Sequence, residues 1–183
     1  AIQANQNEMH GGQSIPNFDY AMGKGVAKTY RKEYFKHLKT YFQLKLDMEE
    51  EEAIELVNDL KNNMTTKVSM GNKEAWEKEL SGYGVGGRLW GEDLFKAHRY
   101  ASDAAYKSTD RQTYQAMEAL IHNLNTMNSR AGAQVPFSSI NYGTDTSPEG
   151  HMAMRNLLLA TEAGLGGGET PIFPVQIFKV KEG

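Results

Sequence analysis

The second half of the chain alternates helical and strand patterns, and this order limits the possible fold more than any other feature. A helical pattern from Glu92 to about Met127 is followed by a strand-like stretch, by a helix from Pro148 to about Ala163, and by a closing strand within IFPVQIFKV. Strands that alternate with helices favour a parallel arrangement. The sequence therefore predicts an α/β fold.

The helices of this half carry recognisable ends. Pro148 occupies the first position of its helix, with Ser147 before it as the N-cap, and Gly164 ends the helix. The longer helix before it has an apolar stripe, and its polar residues 108–110 leave two alternatives: one continuous helix, or a break with Thr109 or Asp110 as the cap of the second part.

The first half predicts two more helices. After an extended stretch at 1–15, apolar residues recur at helical spacing from about Phe18 to Leu46, with Lys and Arg on the other faces. A second helix is expected after Asp47 as N-cap, with acids in its first turn. The run SGYGVGGRLWG at 81–91 lacks the Gly-Lys-Ser/Thr ending of a P-loop, so we expect a surface loop there.

Composition excludes several classes of function. The 183 residues contain no Cys, which rules out disulfides, Cys-ligated metal sites and a Cys nucleophile within this chain. The net charge of −3 argues against binding nucleic acid through bulk charge. No apolar run reaches the length of a membrane span, and a cytoplasmic protein is expected.

The stretch SRAGAQVPFSSINYGTDTSPEG at 129–150 is the main candidate site. Arg130 is its only cation, beside small residues that allow a ligand to approach the backbone closely, and such amides next to a guanidinium suit a nucleotide base or a phosphate. The alternative is an ordinary helix C-terminus with Gly132 as its cap. The part that follows, FSSINYGTDTS, is either a ligand-facing strand end or a capped turn.

Two other groups of residues have simpler interpretations. Glu8 and His10 would share one side of a strand, but two ligands are too few for a metal site. The acidic run Glu49–Glu52 is most simply a solvated helix start.

Three long strings carry a family resemblance. Residues 5–22 read NQNEMHGGQSIPNFDYAM, residues 114–150 read YQAMEALIHNLNTMNSRAGAQVPFSSINYGTDTSPEG, and residues 156–183 read NLLLATEAGLGGGETPIFPVQIFKVKEG. Together they resemble the anaerobic, class III, ribonucleoside-triphosphate reductases. The likeness covers roughly the first 30 and the last 75 residues, and about 45–105 has no close match. His151 stands where an Arg is expected, a mild departure.

The resemblance implies a glycyl-radical enzyme that reduces ribonucleoside triphosphates to deoxyribonucleotides. The implied fold is a ten-stranded α/β barrel of the glycyl-radical/ribonucleotide reductase type. The chain, 1–183, would be a single, helix-rich partial domain from the inner part of that barrel, with a variable helical or loop insertion at about 47–105. Both of its ends read as cut through ordered structure.

The resemblance also implies equipment that this chain lacks. An activase using S-adenosylmethionine and an iron–sulfur cluster would install the glycyl radical, and a four-cysteine zinc site would belong to the parent protein. Since the chain has neither Cys nor a glycyl-radical motif, these parts are expected outside it. No cofactor is expected in the chain, and alone it is expected to be inactive.

The site residues are likewise implied by the resemblance. The SRAGAQ segment would be the loop between effector and substrate base; its residues are Ser129, Arg130, Ala131, Gly132, Ala133 and Gln134. The strand VPFSSINYG would be a barrel strand, with Ser138, Ser139 and Asn141 facing substrate. The helix at 18–46 would pack at a homodimer interface and meet the phosphates of deoxynucleoside triphosphate or ATP effectors. Its aromatic stripe, Tyr30, Tyr34, Leu38 and Tyr41, would need a second copy as partner, with packing inside one chain as the alternative. The phosphate ligands would be Lys24, Lys28 and Lys32; a solvated lysine face is the alternative.

The sequence leaves three hypotheses. The first is a structural and allosteric piece of an anaerobic ribonucleotide reductase. The second is an autonomous, non-catalytic module for nucleotide binding or dimerisation. The third, another glycyl-radical enzyme of the formate-lyase type, would share the barrel but gives no reason for the SRAGAQ segment.

Overall fold

A computed structural model describes residues 12–83, 91–126, 135 and 137–180 of the chain. Five α-helices and three β-strands lie in these ranges. In chain order they are β1 (Gln13–Ile15), α1 (Phe18–Lys45), α2 (Glu50–Asn63), a 3₁₀ turn (Met70–Asn72), α3 (Lys73–Gly82), α4 (Gly91–Thr126), β2 (Ser138–Tyr142), α5 (Pro148–Ala163) and β3 (Val175–Phe178).

The strands form a parallel sheet in the order β1-β2-β3. β1 pairs with β2 so that Ser14 lies beside Ser139, and β2 pairs with β3 so that Asn141 lies beside Ile177. This confirms the predicted parallel α/β arrangement. The ten-stranded barrel stays an expectation, because three strands lie within the described ranges.

The chain divides into two compact units. The first contains Ala1–Val26 and Asp110–Gly183, and the second contains Ala27–Thr109. The boundary falls within α1 and again within α4. All of 47–105, the range predicted as an insertion, belongs to the second unit.

The second unit is a helical cluster built around the aromatic side of α1. Tyr30, Tyr34 and Leu38 are at most 5% exposed, and they pack with buried side chains of α2, α3 and α4. The chain itself therefore covers the stripe on α1. Packing of the stripe within one chain, rather than against a second copy of the protein, is therefore confirmed, while the dimer itself stays untested.

The structure decides three local points. α4 runs unbroken from Gly91 to Thr126, and Ser108, at the possible break, bonds the side chain of His37. α2 begins at Glu50 with Glu49 as its N-cap, while Asp47 lies in the preceding turn with a φ of 56°. Residues 73–80, which had no predicted assignment, form α3 around the buried Trp76 and Leu80 together with Ser81 and Gly82, which were predicted as loop. Residues 84–90 of that predicted loop lie outside the described residues.

A buried polar network lies in the core of the second unit. Trp76 Nε1 donates to Tyr34 Oη at 3.1 Å, so the Tyr34 hydroxyl is free to donate to His98 Nδ1 at 3.0 Å. Nδ1 of His98 must then be the unprotonated nitrogen, and Nε2 carries the proton toward Glu77 Oε1 at 3.2 Å. Burial lowers the pKa of His98, and the neighbouring Glu77 carboxylate opposes that shift only in part.

This network predicts that stability falls in mild acid. Because the folded-state pKa of His98 is lowered, the unfolded chain binds a proton there first as the pH falls below about 6.5. The free energy of unfolding should therefore decrease between about pH 7.5 and pH 5. His98→Gln should flatten this slope in urea titrations at several pH values, and the exposed His151→Gln is the matched control. Equal slopes in the wild type and His98→Gln would contradict the prediction.

In the first unit, α1 and α5 approach each other closely at two glycines. A Cβ on Gly23 would lie 3.2 Å from the Gly150 nitrogen, and a Cβ on Gly150 would overlap the Asp145 carboxylate. Space therefore requires glycine at position 150 and leaves a Cβ at position 23 a tight fit, whereas the backbone conformation demands glycine at neither. By contrast, a Cβ on Gly25 of α1 would have no heavy atom within 4 Å.

The crossing predicts opposite effects of one substitution at two helical glycines. Gly150→Ala should destabilise the protein by roughly 1–3 kcal/mol, because the new methyl group displaces Asp145. Gly25→Ala should stabilise it by about 0.5–1 kcal/mol through helix propensity alone. Chemical denaturation of the two variants measures both, and a stable Gly150→Ala protein would show that the crossing is looser than described.

Candidate functional site

β2 is the central strand of the sheet, and its two faces differ. Ser138, Ile140 and Tyr142 are buried on one face, while Ser139 and Asn141 are half-buried on the other. This alternation follows from the two-residue period of a strand. The three predicted substrate residues of β2 therefore do not share one face.

The face with Ser138 is covered by helix α5. Tyr142 donates to Gln176 of β3 at 2.9 Å, and Gln176 donates to Thr161 of α5 at 2.8 Å. Ser138 is 2% exposed, and its hydroxyl has no hydrogen-bond partner in the described part of the chain. Since Ser138 is almost fully buried on the face that Gln176 joins to α5, it is poorly placed to meet a ligand.

The opposite face is open and mixes polar with apolar groups. Ser14 of β1 shares this face with Ser139 and Asn141, and Val175 and Ile177 of β3 extend it with 41% and 45% of their surface exposed. Oδ1 of Asn141 is shielded from solvent and lacks a hydrogen-bond partner within the described ranges. Hydroxyls and an amide beside aliphatic side chains suit a ligand with a polar part and an apolar ring.

The carboxyl end of β2 is held by a carboxylate from the start of α1. Asp19 is fully buried, and its Oδ2 accepts hydrogen bonds from the backbone N–H groups of Gly143, Thr144 and Asp145 at 2.8, 2.9 and 2.9 Å. Its Oδ1 accepts from the N–H of Tyr20 at 3.0 Å. Burial alone would raise the pKa of Asp19, but these four donors outweigh burial and lower that pKa.

Further backbone N–H groups in and after this turn also bond to side chains of the protein. Asp145 Oδ1 accepts from the N–H of Ser147 at 2.8 Å, and Ser147 caps α5 by accepting from the N–H of Gly150 at 3.0 Å. The predicted cap at Ser147 and the proline at the first helical turn are confirmed. Residues 143–147 form a capped turn, the second of the two interpretations that the sequence allowed.

A basic groove of about 530 Å³ lies in the second unit between α1 and α2. Six of its lining residues are cations and none is an acid; the cations are Lys28, Arg31, Lys32, Lys36, Lys39 and Lys61. The other lining residues are Phe35, Ile54, Val57 and Asn58.

The cations of the basic groove differ in how they are neutralised. Lys39 Nζ forms an ion pair with Glu50 Oε1 at 2.9 Å, and Lys36 Nζ lies 3.8 Å from Glu33 Oε2. Lys61 lies over the Phe35 ring, 4.9 Å from its centroid. Lys28 and Lys32 form no ion pair with any described residue, so their charge is available to an anion.

The predicted site residues are thus separated. Lys28 and Lys32 line the basic groove, whereas Lys24, which is exposed on α1, is not part of its lining. Ser129, Arg130, Ala131, Gly132, Ala133 and Gln134 lie outside the described residues, as do Glu8 and His10.

Sequence reasoning missed two residues of this region. Ser14 lies in a short strand whose partner is more than a hundred positions away, so nothing local indicates its face. Asp19 was missed because an acid in the first turn of a helix is favourable by itself, so its presence does not indicate a contact elsewhere in the chain. Its bonds to the turn after β2 join residues 124 to 126 positions apart.

Neither a membrane span nor a metal cluster is found in the described part of the chain. None of its helices combines the length and apolar content needed to cross a bilayer. No three His, Asp or Glu side chains there come close enough together to hold a metal ion.

Comparison with known families identifies a match over the whole chain. The sequence profile described as anaerobic ribonucleoside-triphosphate reductase matches residues 1–183, the whole chain. A comparison with curated proteins gave no match.

Proposed function

The chain belongs to the anaerobic ribonucleoside-triphosphate reductase family, and we propose that it forms the part of such an enzyme that holds substrate and senses effector. Its contribution is a set of barrel strands, the loop at 129–134 and a helical nucleotide site. The reaction of the whole enzyme is the radical reduction of ribonucleoside triphosphates to deoxyribonucleotides.

The observation that carries this proposal is the asymmetry of the sheet. One face is packed under α5, and the other presents Ser14, Ser139 and Asn141 beside exposed aliphatic residues. In a barrel with its helices outside, the face without helices points to the interior, where the substrate binds. The ribose and phosphates would meet the hydroxyls and the Asn141 amide, and the base would meet the apolar side.

The edges of the sheet support continuation into a larger barrel. Within the described ranges, β1 and β3 each have one neighbouring strand, so each has a second edge at which a further strand could pair. Proteins rarely leave such edges open. We infer that further strands of the enzyme pair with both, and that this chain is an inner piece of a longer protein.

The radical chemistry would be supplied from outside this chain. The sequence has no Cys for a thiyl radical or a four-cysteine zinc site, and the described acids and histidines do not fit a metal. The glycyl radical, the activase with its S-adenosylmethionine and iron–sulfur cluster, and the zinc site therefore belong to other parts of the system. The chain's own residues would bind and orient the nucleotide, and alone it would not turn over.

The basic groove is our candidate site for a nucleoside triphosphate effector. Lys28 and Lys32 have charges that no described side chain neutralises, and Arg31 adds a group that can bind phosphate oxygens in pairs. The groove does not include Lys24, so the proposal keeps two of the three predicted lysines. A homodimer would need a surface other than the aromatic stripe of α1, such as its lysine-rich side.

The basic groove also favours the second hypothesis, an autonomous nucleotide-binding module, because every residue that lines it lies in the second unit. Coding sequence that continues past both ends, with Cys upstream and a radical Gly downstream, would decide for the reductase. An isolated reading frame would decide for the module.

The effector proposal predicts nucleotide binding that depends on two lysines. Calorimetry with dATP should detect binding that weakens as salt rises. Lys28→Glu and Lys32→Glu should each weaken it by about tenfold or more, because charge-assisted hydrogen bonds are lost. The exposed Lys107→Glu, outside the groove, is the matched control. Equal weakening by all three variants would indicate a general charge effect and remove the groove from the proposal.

The substrate proposal predicts different effects on the two faces of β2. In the full reductase, Asn141→Ala should raise KM for a ribonucleoside triphosphate by about tenfold with little change in kcat, as loss of uniform binding does. Ser138→Ala should leave KM unchanged, since Ser138 lies on the covered face. Steady-state kinetics with both variants tests this, and a rise in KM for Ser138→Ala alone would reverse the assignment of the faces.

A further inference from the structure

We propose that Asp19 is a positioning residue for the substrate strand: its carboxylate fixes the carboxyl end of β2 and so directs Ser139 and Asn141 to the open face. This inference rests on the proposed function of that face. Asp19 itself is fully buried and would not touch substrate.

The contacts of Asp19 have the geometry of a clamp. One oxygen accepts from three successive backbone N–H groups, those of Gly143, Thr144 and Asp145, at 2.8–2.9 Å. Successive N–H groups that converge on a single point form a concave anion site, and here the anion is a side chain of the same protein. Hydrogen bonds to a charged acceptor are the strong class, so this turn is held more tightly than an ordinary loop.

Neighbouring groups reinforce the same turn. The Tyr20 hydroxyl donates to the Thr144 carbonyl at 3.0 Å, and the N–H of Lys179 donates to the Tyr142 carbonyl at 2.7 Å. Gly143 has a φ of 115°, and a Cβ there would overlap the Lys179 carbonyl. The turn therefore has little freedom to shift while the Asp19 carboxylate is in place.

The clamp begins one residue after β2 ends, and Asn141 lies two residues before Gly143. A change of peptide orientation at Gly143 would rotate the last residues of the strand and tilt the Asn141 amide. Loss of Asp19 should therefore alter how well substrate binds. A merely stabilising residue would instead lower the amount of folded enzyme, which reduces kcat and leaves KM unchanged.

The first arm of the test examines the clamp in the 183-residue chain. Amide hydrogen exchange should show protection at Gly143, Thr144 and Asp145. Asp19→Ala should speed their exchange by about tenfold or more, Asp19→Asn should do so less, and amides of α2 should be unaffected. Asp110→Asn is the matched control, because Asp110 also binds side chains within the first unit, Arg155 and Asn156, away from this turn. Unprotected amides at 143–145 in the wild type would overturn the clamp.

The second arm measures kinetics in the full reductase. Asp19→Asn should raise KM for a ribonucleoside triphosphate by about tenfold while kcat stays within about twofold, and Asp110→Asn should leave KM unchanged. If Asp19→Asn does not fold, Tyr20→Phe replaces it, since it removes only the bond to Thr144 and should raise KM by about threefold.

The two arms separate the inference from the proposed function. If Asn141→Ala raises KM and the clamp variant does not, the positioning role of Asp19 is overturned and the substrate face stands. If Asn141→Ala leaves KM unchanged, the substrate face itself is wrong, and the role of Asp19 in substrate binding falls with it.

Discussion

The buried carboxylate of Asp19 is the interaction on which the rest of the first unit depends. It joins the start of α1 to the turn after β2, across 124 positions of sequence. Three backbone donors of that turn would otherwise need water or another acceptor, and an unmet buried N–H is costly. Because they converge on one charged oxygen, the end of the central strand, the cap of α5 and the glycine crossing of α1 with α5 are fixed together.

The second unit is organised by a different constraint, the burial of the long aromatic face of α1. The chain covers this face with α2, α3 and α4, and the polar atoms of Tyr34, Trp76 and His98 meet one another inside the core. The opposite side of α1 carries Lys28 and Lys32, which form no ion pair within the described ranges, beside Lys36 and Lys39, which pair with acids. The basic groove thus lies where the cationic side of α1 borders a face of α2 that contributes Ile54, Val57, Asn58 and Lys61.

In the proposed enzyme, the open face of the sheet and the basic groove have separate binding roles, and neither carries out radical chemistry. The open face of the sheet would offer weak, directional contacts to a nucleotide, and the basic groove would offer positive charge. The chain would supply binding and orientation, while the radical and its thiol would come from other parts of the enzyme.

The sequence by itself determined what repeats locally. Helical spacing identified α1, α4 and α5, Ser147 and Pro148 marked the start of α5, and alternation of helix and strand predicted the parallel sheet. Prediction from the sequence failed where the same local pattern fits two structures. Ser108 is compatible with a helix break, but it lies within a continuous helix and bonds His37. The apolar stripe of α1 is compatible with a dimer interface, but it lies in the core. Only the tertiary structure decided which β2 residues face away from α5, that Ser14 joins them, and that Asp19 holds the turn. These facts depend on strand register and on contacts between distant parts of the chain, for which local spacing carries no signal.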